Sequence, residues 1–172
     1  LHFGFVCAVE FSNGRIEVLP IPKTSHQLMV QYLSNLLLAC VAPRKLGTVL
    51  FAPLRFRLQP GTYREPDVVF MLAENAQRIG EDYWQGADWV MEVVSDDNRD
   101  HDLVTKRAEY EAAGIPEYWI VDHRERLITV LTLRGGKYAV HVAARPGQSA
   151  TSVLLPDFAV DVNAVFQAAV VS

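Results

Sequence analysis

Trp89-Val90-Met91-Glu92-Val93-Val94 sets an acidic residue in the middle of an apolar, valine-rich run. A second stretch of the same kind, Pro66-Asp67-Val68-Val69-Phe70, opens on an aspartate. Both read as buried strands. A carboxylate inside a buried strand costs several kcal/mol unless it is paired or bound to a metal. Two of them, on segments that can lie side by side in one sheet, point to a divalent-metal site.

The surrounding pattern places these strands within a mixed sheet. A hairpin is expected at the start: residues 3–11, a turn at Ser12-Asn13-Gly14, then 15–19. Asn-Gly between two β-rich runs is a strong hairpin signal. Pro20 and Pro22 end that unit, and a helix follows over about 26–39, with Thr24 or Ser25 as its N-cap. Its apolar stripe runs Met29, Leu33, Leu36, Cys40, and His26 falls on that stripe at the helix start. Strands are expected over 48–51, 54–58, 67–71 and 89–95, with 81–87 as a loop presenting exposed aromatics. In 54–58 the arginines Arg55 and Arg57 alternate with apolar residues, which makes one face basic.

The loop Asp96-Asp97-Asn98-Arg99-Asp100 leads to a helix over about 102–113, closed by Gly114. A strand over 117–121, a hairpin of 127–133 and 138–143 around Gly135-Gly136, and a short helix near 162–168 complete the chain. The expectation is one domain, 1–172, of α/β class: an α+β mixed sheet flanked by helices, with an N-terminal and a C-terminal hairpin.

The bulk numbers agree with that size. A chain of 172 residues, half of them hydrophobic and 21% charged, suffices for one domain with a sizeable core. Its longest strongly apolar stretch, 36–42, is far too short to span a bilayer. No basic segment precedes an apolar one at the start, so no signal peptide is expected. Cys7 and Cys40 make no zinc spacing and fit small core residues in a reduced cytoplasm. A net charge of −4 argues against gripping nucleic acid by bulk electrostatics, but leaves room for a local basic groove.

Mg²⁺ takes hard oxygen ligands, usually one or two carboxylates with waters and a substrate phosphate. Asp67 and Glu92 supply carboxylates, and the main-chain carbonyl of Val93 is a third oxygen. Lys106 shares a helix face with Leu103, Tyr110 and Ala113, the side turned to the sheet. There it would orient an attacking water and offset developing negative charge. Each residue also has a plainer reading. Asp67 fits a strand-start aspartate, Glu92 a sheet-edge carboxylate, and His26 a capped helix-start histidine. Lys106 fits an i, i+4 partner of Asp102. Arg55 and Arg57 fit a solvated strand face. Asp88 shares Glu92's face but lies roughly 13 Å along the strand, too far for one ion. Tyr110 and Trp119 read as core, and Glu117 and Asp122 as structural.

Pro66-Asp67 and Glu92-Val93-Val94 resemble the PD-(D/E)XK nuclease superfamily. The longer pattern is Pro66-Asp67-Val68, Glu92-Val93-Val94-Ser95, Asp102-x-x-x-Lys106-x-x-x-Tyr110 and Gly114-x-Pro116-Glu117-Tyr118-Trp119-Ile120-Val121-Asp122. It is similar to the Uma-two family of restriction-endonuclease-like bacterial proteins. The Asn13-Gly14 hairpin, His26 and Leu155-Pro156-Asp157-Phe158 fit the same pattern.

The resemblance implies a restriction-endonuclease-like fold and DNA phosphodiester cleavage dependent on Mg²⁺ or Mn²⁺. It implies metal binding by Asp67, Glu92 and the carbonyl of Val93. The superfamily lysine stands two residues after the second acid, where this chain has Val94; the resemblance then implies Lys106, from the next helix, as its replacement. The first helix of such proteins often carries a further acid, and this chain offers His26 or Gln27 instead. The expected partner is DNA, as a cytoplasmic protein, with a homodimer expected where both strands are cut. A binding module that keeps the fold without turnover, or a phosphoesterase for a small substrate, are the alternatives.

Overall fold

The computed structural model describes residues 9–12, 15–18, 21–96 and 98–170. Six strands form the principal sheet: β3 (Gly47–Phe51), β6 (Val68–Leu72), β8 (Trp89–Val93), β9 (Glu117–Asp122), β10 (Leu127–Arg134) and β11 (Lys137–Ala144). Their order is β11-β10-β9-β8-β6-β3. β8 and β9 are parallel and every other pair is antiparallel, so the sheet is mixed. Parallel neighbours need a crossover connection. Here that crossover carries helix α2 (Lys106–Ala112).

β6, β8 and β9 are apolar on both faces because both faces are covered. On one face, α1 (Thr24–Val41) and α3 (Val162–Ala168) pack Met29, Leu33, Leu37 and Val165 against Val68, Phe70, Met91 and Trp119. On the other, Tyr110 of α2 and Phe56 pack against Val69, Val90 and Val94. Phe56 belongs to a second sheet of β1 (Val9–Ser12), β2 (Arg15–Val18), β4 (Phe56–Gln59), β5 (Thr62–Arg64) and β7 (Trp84–Gln85). Its order is β2-β1-β5-β4-β7. The pair β12 (Ser149–Thr151) and β13 (Ala159–Asp161) precedes α3. Sheet and helices thus form the mixed α+β architecture the sequence predicts, with β10 and β11 as the C-terminal hairpin.

Several details differ from expectation. β1 and β2 pair antiparallel, as a hairpin requires, while residues 3–8, the turn residues Asn13 and Gly14, and Leu19 and Pro20 lie outside the described residues. So do Cys7 and Asp97. α1 begins at Thr24, where Lys23 O accepts the first helical bond from Gln27 N, and there is no side-chain cap because a lysine at the N-cap position has no acceptor to offer. The helix expected over 102–113 opens as a π turn, His101–Thr105, in which Lys106 N bonds His101 O. The loop 81–87 holds Trp84 buried rather than exposed, since β7 pairs with β4. The basic face of β4 is partly covered: the Arg57 guanidinium lies over the Tyr83 ring at 5.1 Å. Gly114 closes α2 with φ +78°, the left-handed conformation suited to glycine. No helix among the described residues is long and apolar enough to cross a membrane.

Candidate active site

The register of β6 on β8 pairs Val68 with Met91 and Val69 with Val90. Continued by one residue, it sets Asp67 beside Glu92, on the face that α2 and the second sheet cover. The two embedded acids are therefore cross-strand neighbours. α1 starts at the same edge of the sheet, and His26 in its first turn reaches the end of β8.

Asp67, His26 and Val93 make the outer part of the site. Asp67 Oδ2 accepts from Val93 N at 2.7 Å. His26 Nε2 lies 3.2 Å from Asp67 Oδ2 and 3.1 Å from Val93 O. Both side chains keep 16% of their surface exposed, so this part is open to solvent. Burial works against a charge on His26, but the hydrogen bond to Asp67 and its negative charge outweigh it, and the imidazole pKa is raised.

Glu92, Lys106, Asp102 and Tyr110 make the inner part. Lys106 Nζ lies 3.0 Å from Glu92 Oε2 and 3.2 Å from Asp102 Oδ1, and its side chain is only 6% exposed. Tyr110 OH donates to Glu92 Oε1 at 2.6 Å. Asp102 Oδ2 accepts from Ser95 N at 2.9 Å, which fixes the other end of that carboxylate. Burial, helped by the charges of Asp67, Asp102 and Glu10, pushes the Glu92 carboxyl up despite Lys106 beside it. Burial alone would lower the Lys106 pKa, but the charges of Glu92, Glu10 and Asp102 reverse that and raise it. The ammonium is thereby kept as the counter-charge of the inner carboxylates.

The outer donors suit a divalent cation. Asp67 Oδ2 and Val93 O are hard oxygen donors of the kind Mg²⁺ takes. Both face His26 Nε2, at 3.2 and 3.1 Å, as hydrogen-bonding partners of the imidazole. Among the described residues no three His, Cys, Asp or Glu side chains form a ready metal cluster. Asp67 and the carbonyl of Val93 stand in the outer part beside His26, while Glu92 faces Lys106 and Tyr110.

All four candidates, Asp67, Glu92, Lys106 and His26, thus meet at one edge of the sheet, together with Val93. The Lys106–Asp102 pairing weighed as the plainer reading also exists, at the same time as the contact with Glu92. Tyr110 is core and site at once. Glu117 is structural: its carboxylate accepts from Trp89 Nε1, Trp119 Nε1, Val153 N and Leu154 N. Asp122 is held by Arg99 at 2.6 and 3.0 Å. Glu10 was missed, although Val9-Glu10-Phe11 is the same embedded-acid signal as Glu92. Its Oε1 lies 3.9 Å from Lys106 Nζ.

A family model described as Uma2, "Putative restriction endonuclease", matches residues 7–163. No curated protein matches the chain. Among solved structures, the crystal structure of "a putative nuclease belonging to DUF820" from Anabaena variabilis ATCC 29413 superposes with a TM-score of 0.78 at 16% identity. The superposition covers 95% of this chain and 92% of that one, so the likeness of fold extends over most of both. With most of its length matched by the family model and its fold shared with this neighbour, the chain belongs to the Uma2 family of restriction-endonuclease-like proteins.

Proposed function

We propose that this protein is a metal-dependent endonuclease that hydrolyses DNA phosphodiester bonds, with residues 1–172 acting as one restriction-endonuclease-like domain. The observation that carries the reading is the convergence of Asp67 Oδ2, Val93 O and His26 Nε2 within hydrogen-bonding distance, beside the Glu92–Lys106 pair. Asp67, Glu92 and the carbonyl of Val93 are the proposed ligands of Mg²⁺ or Mn²⁺, and His26 lines the same point. A bound ion of this kind supplies Lewis acidity and a water of lowered pKa. The chain's own residues do the rest. Val93 N fixes the Asp67 carboxylate, and Tyr110 fixes that of Glu92. Lys106, standing in for the lysine that Val94 displaces, orients the attacking water and offsets charge developing on the phosphate. The proposed setting is cytoplasmic, with a homodimer placing two sites on the two strands of DNA.

A second reading, a nucleic-acid-binding or assembly module without turnover, is favoured by one observation. Lys106 is buried and already engaged by Glu92 and Asp102. The deciding experiment compares wild type with Glu92→Ala on plasmid and single-stranded DNA, with and without Mg²⁺ or Mn²⁺. The nuclease reading expects metal-dependent cleavage by wild type only. Equal signal from both proteins, or DNA binding with no cleavage, overturns it.

A further inference from the structure

The Lys106 ammonium is enclosed by carboxylates from three different elements. Glu92 comes from β8 and Asp102 from the π turn. The third, Glu10, comes from β1 in the other sheet. We infer that Glu10 is a positioning residue of the active site, helping to hold the Lys106 ammonium in place from the second sheet. This inference rests on the nuclease reading for its catalytic meaning, but not for its geometry.

Glu10 is built in, with no exposed side-chain surface, and both oxygens are engaged. Oε2 lies 2.9 Å from Arg64 Nη1 and 3.3 Å from His101 Nε2. Oε1 accepts from Glu65 N at 3.0 Å and faces Lys106 Nζ at 3.9 Å. At that distance it acts on Lys106 through charge rather than through a hydrogen bond. Burial pushes the Glu10 carboxyl up, but His101, the charge of Lys106, the Glu65 amide and Arg64 together bring it down to about 2. It is therefore an anion throughout the neutral range.

A brace needing only shape would stop at Arg64, which already ties β5 to α2 by bonding Glu109 at 2.7 and 2.8 Å. Glu10 does more, because its second oxygen is directed at the ammonium that the mechanism uses. Where Glu92 engages a metal, its hold on Lys106 weakens. Asp102 and Glu10 then remain, among the described residues, as the other carboxylates within 4.0 Å of the ammonium.

The test reads the Lys106 ammonium itself, by ¹⁵N-resolved NMR of lysine side chains, with the signal identified by its loss in Lys106→Met. A buried ammonium boxed by acids gives a slowly exchanging signal in wild type. Glu10→Gln is expected to shift that signal and speed its exchange, and to lower kcat about 10–100-fold with KM and Mn²⁺ uptake unchanged. Glu10→Asp, which keeps the charge, recovers part of both. Glu109→Gln removes the charge from the Arg64–Glu109 arm and is expected to leave the signal in place. The inference is overturned if Glu10→Gln leaves the ammonium unchanged, or if Glu109→Gln shifts it as much. If Glu10→Gln fails to fold, Glu10→Asp decides on the same signal: a smaller shift supports the inference and none overturns it. If wild type itself does not cleave DNA, the nuclease reading fails, and the ammonium signal still decides whether Glu10 holds Lys106.

Discussion

The hydroxyl of Tyr110 donates to Glu92 Oε1 at 2.6 Å, and both groups are fully buried. A helix residue thus holds a strand carboxylate from the side opposite Lys106. The two donors, Tyr110 and Lys106, are four residues apart on one face of α2 and take one oxygen of Glu92 each.

Tyr110→Phe keeps the ring packing on Phe56 and Tyr118 while leaving Glu92 Oε1 without its donor. A buried acceptor left unpaired costs about 1–3 kcal/mol. Urea denaturation is expected to show a loss of that size, with the m-value unchanged. A loss below about 0.5 kcal/mol would mean that the hydroxyl does not hold Glu92.

Asp67→Asn removes the charge of a proposed metal ligand, and His26→Ala removes the imidazole that lines the same point. Wild type is expected to gain thermal stability on addition of Mn²⁺, equivalent to about 2.7 kcal/mol at a hundredfold excess over Kd. Either variant is expected to lose most of that gain while its metal-free Tm changes little. An equal Mn²⁺ response in wild type and Asp67→Asn would place the ion elsewhere.

Lys106→Met removes the counter-charge and leaves Glu92 and Asp102 facing one another without it. Breaking a buried pair in this way costs about 3–5 kcal/mol. The deficit is expected to shrink as pH falls, because Glu92, already pushed up by burial, then takes a proton. Chemical denaturation at pH 8 and at pH 5 checks both the size and the direction. Metal uptake at the outer donors is expected to survive while cleavage is lost.

Glu10 sets an acid limit on stability. Its folded pKa of about 2 is depressed from the usual 4.5, so its contribution is complete above 4.5 and disappears as pH falls toward 2. A depression of that size corresponds to on the order of 3 kcal/mol. The stability gap between wild type and Glu10→Gln is expected to be constant from pH 6 to 8 and to close below pH 4.5. A gap that is undiminished at pH 3 would assign the loss to packing.

The sequence made the principal sheet and the two central acids legible for one reason. A charge inside a valine-rich strand needs a partner, and Asp67 and Glu92 share that need on adjacent strands. Lys106 was legible from helical periodicity, which put it on the same side as Leu103 and Tyr110. Glu10 carries the same embedded-acid signal, but its partners Arg64, His101 and Lys106 lie 54, 91 and 96 positions away, and no local pattern joins them. β5, β7, β12 and β13 have two or three residues each, too few for a period to show. Tyr110 and Asp102 were visible as residues, one as core and one as a salt-bridge partner. What pattern alone could not show is that each does its ordinary task and also holds a site group.

Val94 follows Glu92 at a spacing of two, so both side chains face the same way, and Val94 is completely buried among Phe56, Val90 and Tyr110. Hydrocarbon thus seals the floor beneath Glu92 where a cation would otherwise need its own solvation. The anchoring groups and the ammonium are mounted on separate parts, a strand and a helix, joined through the π turn at His101–Thr105. A substitution within that turn can re-aim the ammonium without disturbing the pleat of the strand. The protein can therefore adjust its cation, together with Asp102 in the same turn, independently of the strand acids Asp67 and Glu92.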